Sequence, residues 1–158
     1  ATSVNIGKTL GKGQLDEARK QKTWMLSAAV LFGLFMTLTG ALVTLLTPLV
    51  FRHLSQAAQG ICRDLVLLVA LYMPLWVYTN VQFSVARAGG DSVMGAVVDG
   101  GVTLLVVIPG ILLLANLTRW GPVLMYGILK LTDFVKIVTA HLWLKKEKWL
   151  KNLTVRAA

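Results

Sequence analysis

The sequence predicts an all-α membrane protein with four transmembrane helices. Apolar residues make up 56% of the chain and charged residues only 15%, whereas about 25% of a soluble domain is charged. The charges are also bunched, since none lies in residues 23–51 or 65–86, which are runs of 29 and 22 residues. Both runs exceed the roughly 20 residues that a helix needs to cross a hydrocarbon core of about 30 Å. We therefore expect each of them to span a membrane.

Two further apolar runs complete the predicted bundle. The run 92–118 contains one charge, Asp99, and the run 121–144 contains Lys130, Asp133 and Lys136. The predicted segments are a cytoplasmic loop with an interfacial helix, four spans and a basic cytoplasmic tail, which either lies on an anionic leaflet or is a plain stop-transfer cluster. Their approximate bounds are 1–22 for the loop and helix, 24–50, 65–86, 92–115 and 122–144 for the spans, and 145–158 for the tail.

The first segment contains a Gly-Lys-Thr sequence at residues 7–9 that resembles part of a phosphate-binding loop. Such a loop needs a further glycine five positions earlier, where Thr2 stands, and a strand before it. We interpret the glycines as a turn over residues 7–13. The following "QLDEARKQK" predicts an amphipathic helix that lies at the membrane interface and leads into the first span.

The basic residues predict the topology. An even number of spans places both ends on one side, and that side carries eleven basic residues, including Arg87, against three on the other: Arg52, Arg63 and Arg119. The positive-inside rule makes the first side cytoplasmic. We expect an integral protein of a bacterial plasma (inner) membrane, and we assign the net charge of +9 to contact with anionic lipid and not to nucleic-acid binding.

The sequence contains no pattern that predicts a metal site or cofactor. His53 and His141 fall at opposite faces of the predicted membrane, and Cys62 has no second cysteine to pair with. We expect no metal, no cofactor and no enzymatic activity.

The charges inside the predicted spans require an explanation, because each costs about 2.5 to 3.5 kcal/mol at the centre of a bilayer. Asp99 and Lys136 fall at similar depths of antiparallel spans, which predicts a structural charge pair. Asp133 is three residues from both Lys130 and Lys136, so an intrahelical ladder competes for these lysines. Two interpretations stay open: the charges lock helices together, or Asp99, Lys130 and Asp133 line a polar cavity or a proton route.

The second span contains a proline with polar neighbours. Pro74 removes one helical hydrogen bond, which leaves the carbonyl of Ala70 available and predicts a kink. Transporters place kinked and partly polar helices along a cavity, although a packing kink would show the same pattern. The candidate pathway residues in this span are Tyr72, Tyr78, Asn80 and Gln82.

Three stretches of the chain resemble a known family. They are "VNIGKTLGKGQLDEARK", "FSVARAGGDSVMGAVVD" and "LTDFVKIVTAHLWLKKEKWLKNL". Together they are similar to the C-terminal part of multidrug and toxic compound extrusion (MATE) transporters. The most specific piece is the motif turn formed by Arg87, Gly89, Gly90 and Asp91. The resemblance implies that the chain supplies the last four helices of a twelve-helix, two-lobed fold.

The resemblance also implies a function. It implies a segment of a cation-coupled multidrug efflux antiporter that exports amphipathic organic cations by alternating access, together with the remaining helices of the parent transporter. Residues 65–86 contain no carboxylate of the kind that sodium-coupled members carry, so we expect protons as the coupling ion and keep sodium as the alternative. The alternative function is a small four-helix membrane scaffold or assembly protein without transport activity.

Overall fold

The computed structural model describes residues 2–117 and 119–150, and these residues form helices joined by short turns. The helices are α1 (Thr2–Gly11), α2 (Leu15–Val50), α3 (Gln56–Ala88), α4 (Val93–Leu117), α5 (Pro122–Lys130) and α6 (Thr132–Lys145). Helices α2, α3 and α4 are long and apolar enough to cross a membrane. The chain is therefore an all-α integral membrane protein.

The N-terminal segment is more helical than the sequence predicted. The loop expected at the start is helix α1, and Gly7 and Gly11 lie inside it. Of the residues 7–13 predicted to form a glycine-rich turn, 7–11 belong to α1, and the turn is confined to Lys12 and Gly13, where Gly13 has a φ of 74°. The expected interfacial helix is the first two turns of α2. At 36 residues, or roughly 54 Å, α2 is longer than a hydrocarbon core, so these turns extend beyond it.

The fourth predicted span is two helices in the structure. Helices α5 and α6 meet at Leu131, where the amides of Leu131 and Phe134 each bond three residues back, to Ile128 and Leu131. The hydroxyl of Thr132 donates to the carbonyl oxygen of Leu129 at 2.7 Å, which offers the backbone an alternative to regular helix. The structure thus has three long apolar helices, and the count of four spans stays a prediction.

Helices α2 and α3 pack closely through small residues. An added Cβ at Gly33 would lie 2.5 Å from Cα of Pro74, and one at Gly40 would lie 2.6 Å from Cβ of Ala70. Small residues let helix backbones approach each other where lipid removes the hydrophobic driving force. The small residues on this face of α2 form a stripe with a spacing of three or four residues. They are Ala29, Gly33, Thr37, Gly40, Thr44 and Thr47.

The same contact satisfies the carbonyl that Pro74 leaves free. Oγ1 of Thr37 lies 2.8 Å from the carbonyl oxygen of Ala70 and 3.1 Å from that of Gly33, with geometry for a hydrogen bond to each. Helix α3 continues through Pro74 to Ala88. An unpaired backbone carbonyl is costly in hydrocarbon, so this interhelical bond allows a proline in the middle of a span.

The buried apolar core lies at one end of the bundle. It joins α1, the start of α2, the α3–α4 turn and the segment that follows α6. Both ends of the described chain and the motif turn therefore lie at the same end of the molecule. Elsewhere the spans expose large apolar side chains, such as Leu45 and Leu105 at 75% and 79%, as a lipid-facing surface does. The core residues are Ile6, Leu10, Ala18, Val85, Ala86, Ala88, Met94, Val98, Ala140, Leu144 and Trp149.

We call the contacts of Arg19, Lys22, Gly89, Glu147 and Trp149 the terminal clasp. Trp149 is 1% exposed, and an added Cβ at Gly89 would collide with its backbone. Arg19 donates from Nε and Nη2 to the two carboxylate oxygens of Glu147, at 3.0 and 2.8 Å. The ammonium of Lys22 lies 5.7 Å from the centre of the Trp149 ring.

The clasp bears on the sequence prediction for the C-terminal tail. It shows that Trp149 of this tail is buried against α1 and α2, whereas a surface helix or a stop-transfer cluster would leave it outside the core; the position of the tail relative to the membrane stays a prediction. Its indole N–H donates to the carbonyl oxygen of Leu144 at 3.1 Å. Residues 151–158 of the predicted tail, including Lys151 and Arg156, lie outside the described residues.

The small-residue stripe predicts unequal effects of adding one methyl group. We expect Gly33→Ala to destabilise the chain by about 1 to 3 kcal/mol, because the new methyl group meets backbone atoms of Pro74 that have no room to move. The matched control is Gly60→Ala in α3, where nothing lies within 4 Å of an added Cβ. The control should be neutral or stabilising, because alanine favours helix over glycine. Thermal unfolding in detergent micelles measures both, and equal effects would contradict the close approach.

The clasp predicts a dependence of stability on pH. The hydrogen bonds from Arg19 lower the pKa of the Glu147 carboxyl below its ordinary value. A carboxylate with a lowered folded pKa stabilises the fold above its unfolded pKa of about 4.3, and the effect is lost as pH falls through the folded value. We expect the melting temperature of the wild type to exceed that of Glu147→Gln at pH 7, with the difference disappearing in acid. A difference that persists in acid would contradict this assignment.

Candidate functional site

The motif turn is a junction between three helices. Asp91 accepts a hydrogen bond from the amide of Met94 at 3.2 Å, near the start of α4, and one from the indole N–H of Trp143 at 2.7 Å, from α6. Gly90 has a φ of 82°, a conformation that favours glycine. Arg87 is exposed and donates to the carbonyl oxygen of Phe83 on its own helix. These contacts make the turn a structural joint between α3, α4 and α6.

Asp99, Lys136, Asp133 and Lys130 form a row of alternating charges, which we call the charge chain. Nζ of Lys136 lies 2.6 Å from Oδ1 of Asp99, which links α6 to α4. Lys136 is also 3.9 Å from Asp133, and Asp133 is 3.2 Å from Lys130. The pair and the ladder are therefore present together, where the sequence presented them as competitors, and the ladder crosses the break between α5 and α6. The side chains of Lys136 and Asp133 are 13% and 14% exposed, and that of Asp99 is 58% exposed.

Helix α4 is irregular at Asp99. Two segments, Ala96–Gly100 and Thr103–Val107, are π-helical, with hydrogen bonds from residue i+5 to residue i. Asp99 lies in the first, and the second ends just before Pro109, which has no amide hydrogen to donate. Single π-helical turns are frequent at functional sites because they change the direction of the side chains that follow.

A polar cavity of about 220 Å³ lies between the charge chain and α3. It brings together four of the predicted pathway residues, Asn80, Asp99, Lys130 and Asp133, with Lys136. The four charged groups sum to zero, so the cavity has charge of both signs without a net charge. Its full lining is Trp76, Thr79, Asn80, Phe83, Asp99, Lys130, Asp133 and Lys136.

The other predicted pathway residues lie apart from this cavity. Tyr72 borders an adjoining cavity of about 210 Å³, and its hydroxyl donates to the carbonyl oxygen of Gly127 in α5. Gln82 is fully buried: its amide nitrogen lies 3.4 Å from the carbonyl oxygen of Ile137, and its amide oxygen has no partner among the described residues. Tyr78 is half-buried on α3. The described residues contain no cluster of three metal-ligating side chains.

The sequence analysis did not single out the aromatic residues of the site. Trp76 and Phe83 line the polar cavity from the face of α3 that also carries Asn80. The ring of Tyr126 lies with its centre 5.7 Å from the ammonium of Lys130. Helical spacing places these aromatic residues beside the predicted polar residues. Residues 76, 80 and 83 share one face of a helix, and residue 126 is one turn before residue 130.

Comparison with known proteins adds no relative to this picture. No protein-family model matches the chain, and no curated protein or solved structure matches it. Assignment to the MATE family therefore rests on the residues of the three stretches that resemble it, and it stays a proposal.

Proposed function

We propose that the chain is the C-terminal lobe segment of a cation-coupled multidrug efflux antiporter that works by alternating access. The observation that carries the proposal is the charge chain facing a polar cavity within an apolar bundle. Each such charge is expensive in a bilayer, and membrane proteins retain them mainly along substrate or ion pathways. The resemblance to MATE transporters, whose stretches include Asp99, Asp133 and Lys136, supports the same conclusion.

The break in the fourth segment supports the proposal. In this reading α5 and α6 together form the fourth span, and the chain contributes four helices to a twelve-helix fold. The break at Leu131 falls between Lys130 and Asp133, which both line the cavity. Secondary transporters commonly place interrupted helices at their binding sites, where freed backbone and polar side chains contact the ligand.

The proposed ligands are amphipathic organic cations. The rings of Trp76 and Phe83 offer faces for apolar or cationic groups, and the carboxylates of Asp99 and Asp133 offer negative charge in the same cavity. Asp99 is the more exposed carboxylate and the candidate to exchange a proton with water. We propose protons as the coupling ion, with sodium as the alternative.

The proposed location is a bacterial plasma (inner) membrane with both ends of the chain in the cytoplasm. Both ends of the described chain lie at one end of the bundle, as that topology requires. The excess of basic residues gives the side. The proposed partners are membrane lipid and the helices of a second lobe.

A scaffold function is the second candidate, and one observation favours it. Every charge in the chain of four has an opposite charge within 4 Å, and the Asp99–Lys136 bridge fastens α4 to α6. Charges that only neutralise one another and join helices would need no ligand.

Exchanging the charges distinguishes the two functions. In cells that produce the two-lobed transporter containing this chain, we expect Asp99→Lys or Lys136→Asp alone to reduce the amount of folded protein, because each leaves two like charges facing each other. The double exchange should restore much of that amount, since the pair is re-formed with reversed polarity. Ethidium efflux should stay at least about tenfold below wild type, a loss of roughly 1.4 kcal/mol, because the carboxylate has moved to another helix.

The control is the matched change Asp64→Lys with Arg63→Asp at the other end of the bundle, where the side chains are exposed and 3.4 Å apart. This exchange should leave folding and efflux near wild type, as exposed pairs contribute little. Full recovery of efflux by the Asp99 and Lys136 exchange would favour a purely structural pair and count against the pathway.

The proposed orientation predicts opposite labelling of two cysteines. Cys62 lies near the α2–α3 turn, and exposed Gln14 lies at the other end of the bundle, just before α2. In intact cells a membrane-impermeant maleimide should label Cys62 and should not label Gln14→Cys in a Cys62→Ser background. Opening the membrane should expose the second cysteine. The reverse pattern would place the ends of the chain outside.

A further inference from the structure

Lys130 occupies a central place that the proposed pathway does not explain. Its side chain borders three adjoining cavities, of about 210, 220 and 190 Å³. The ring of Tyr126 and the carboxylate of Asp133 contact its ammonium group, at 5.7 Å from the ring centre and 3.2 Å from Oδ2. The Lys130 side chain is 27% exposed, so this contact is largely shielded from solvent.

We propose that Tyr126 and Asp133 form a binding subsite for an alkylammonium group, and that Lys130 occupies this subsite as an internal substitute for the ligand. An aromatic face combined with a carboxylate is a suitable environment for an organic ammonium ion, because the ring quadrupole and the negative charge both attract it. Lys130 presents a primary ammonium on a flexible apolar stem, which is the chemistry of such a ligand.

The charge chain allows Lys130 to leave the subsite. When the ammonium of Lys130 moves away, Asp133 keeps a second lysine, Lys136, at 3.9 Å. Lys136 in turn keeps Asp99 at 2.6 Å. Asp133 is therefore not left alone in a buried position while a ligand exchanges with Lys130.

Displacement of Lys130 by a ligand would also change the space in the adjoining cavities. Each of the three is smaller than the roughly 300 Å³ at which small-molecule pockets usually begin. Tyr126 borders two of them and Lys130 borders all three. Moving the Lys130 side chain joins these spaces into one pocket of ordinary ligand size, with the subsite in its wall. Lys130 thus competes with a ligand cation for the subsite. The strength of its contacts sets how strongly the cation must bind to displace it.

The identity of the natural ligand rests on the proposed efflux function, whereas the subsite itself is testable with the chain alone. The probe is n-propylammonium, which matches the atoms that Lys130→Ala removes beyond Cβ. We expect Lys130→Ala to lower the melting temperature in detergent micelles by about 4 °C or more. Added n-propylammonium should restore at least half of that loss in a saturable way, as binding to the folded state requires.

The controls separate binding at the subsite from general effects. Neutral n-propanol, and sodium chloride at equal ionic strength, should restore nothing, and wild type should gain no stability from n-propylammonium because Lys130 already fills the subsite. Adding Tyr126→Leu or Asp133→Asn to Lys130→Ala should abolish the response. Should Lys130→Ala fail to fold without the probe, Lys130→Gln is titrated in its place.

Equal responses of wild type and both Lys130 variants to n-propylammonium would overturn the subsite. So would a response that survives both second changes. If ethidium efflux is contradicted as the function while the n-propylammonium response is intact, the subsite stands. Only its proposed natural ligand is then removed. The two proposals therefore fail by different measurements.

Discussion

The close approach of α2 and α3 is the constraint on which the rest of the structure depends. Helix α3 contacts α1, α2, α4, α5 and α6, so its position decides theirs. Helix α2 approaches it closely at Gly33, which faces backbone atoms of Pro74, and at Gly40, which faces Ala70. The hydrogen bond from Thr37 to Ala70 also keeps a proline-containing span fully bonded in hydrocarbon. The polar cavity and the terminal clasp both form against a helix that this contact has fixed.

Carboxylates occur in two different surroundings in this molecule, at the end of the bundle and deeper within it. At the end of the bundle, Asp91 joins three helices through the hydrogen bonds that it accepts from Met94 and Trp143. Deeper in the bundle, Asp99 pairs with Lys136 and yet stays 58% exposed beside a cavity. Carboxylates therefore join helices at both levels of the bundle, and Asp99 also borders a cavity.

Local rules predicted much of this structure, and tertiary contacts decided the rest. Proline chemistry identified the free carbonyl of Ala70 from sequence, but only the packing of α2 shows that Thr37 supplies the donor. The three-residue spacing gave the Lys130–Asp133 contact directly, and counting depth in antiparallel spans gave Asp99 with Lys136. These successes share a cause, since helix geometry fixes which residues lie at one level.

Three features were not predicted, each for a reason of its own. Because glycine disfavours helix by about 1 kcal/mol, a turn was predicted where α1 forms. The burial of Ile6 and Leu10 outweighs that preference. The burial of Trp149 was not predicted, because nothing in its local sequence shows that Gly89 leaves room for its backbone. The break at Leu131, beside which Thr132 donates to the carbonyl oxygen of Leu129, is invisible to hydropathy.

The terminal clasp has a consequence for the order of events during biosynthesis. Arg19 and Gly89 leave the ribosome long before Glu147 and Trp149, with α4, α5 and α6 made in between. The spans therefore enter the bilayer while the site for Trp149 is still open and its apolar lining is still accessible to chaperones and proteases. The clasp can close only after α4, α5 and α6 have been synthesised. Until then Ile6 and Leu10 lack the packing partner that Trp149 provides.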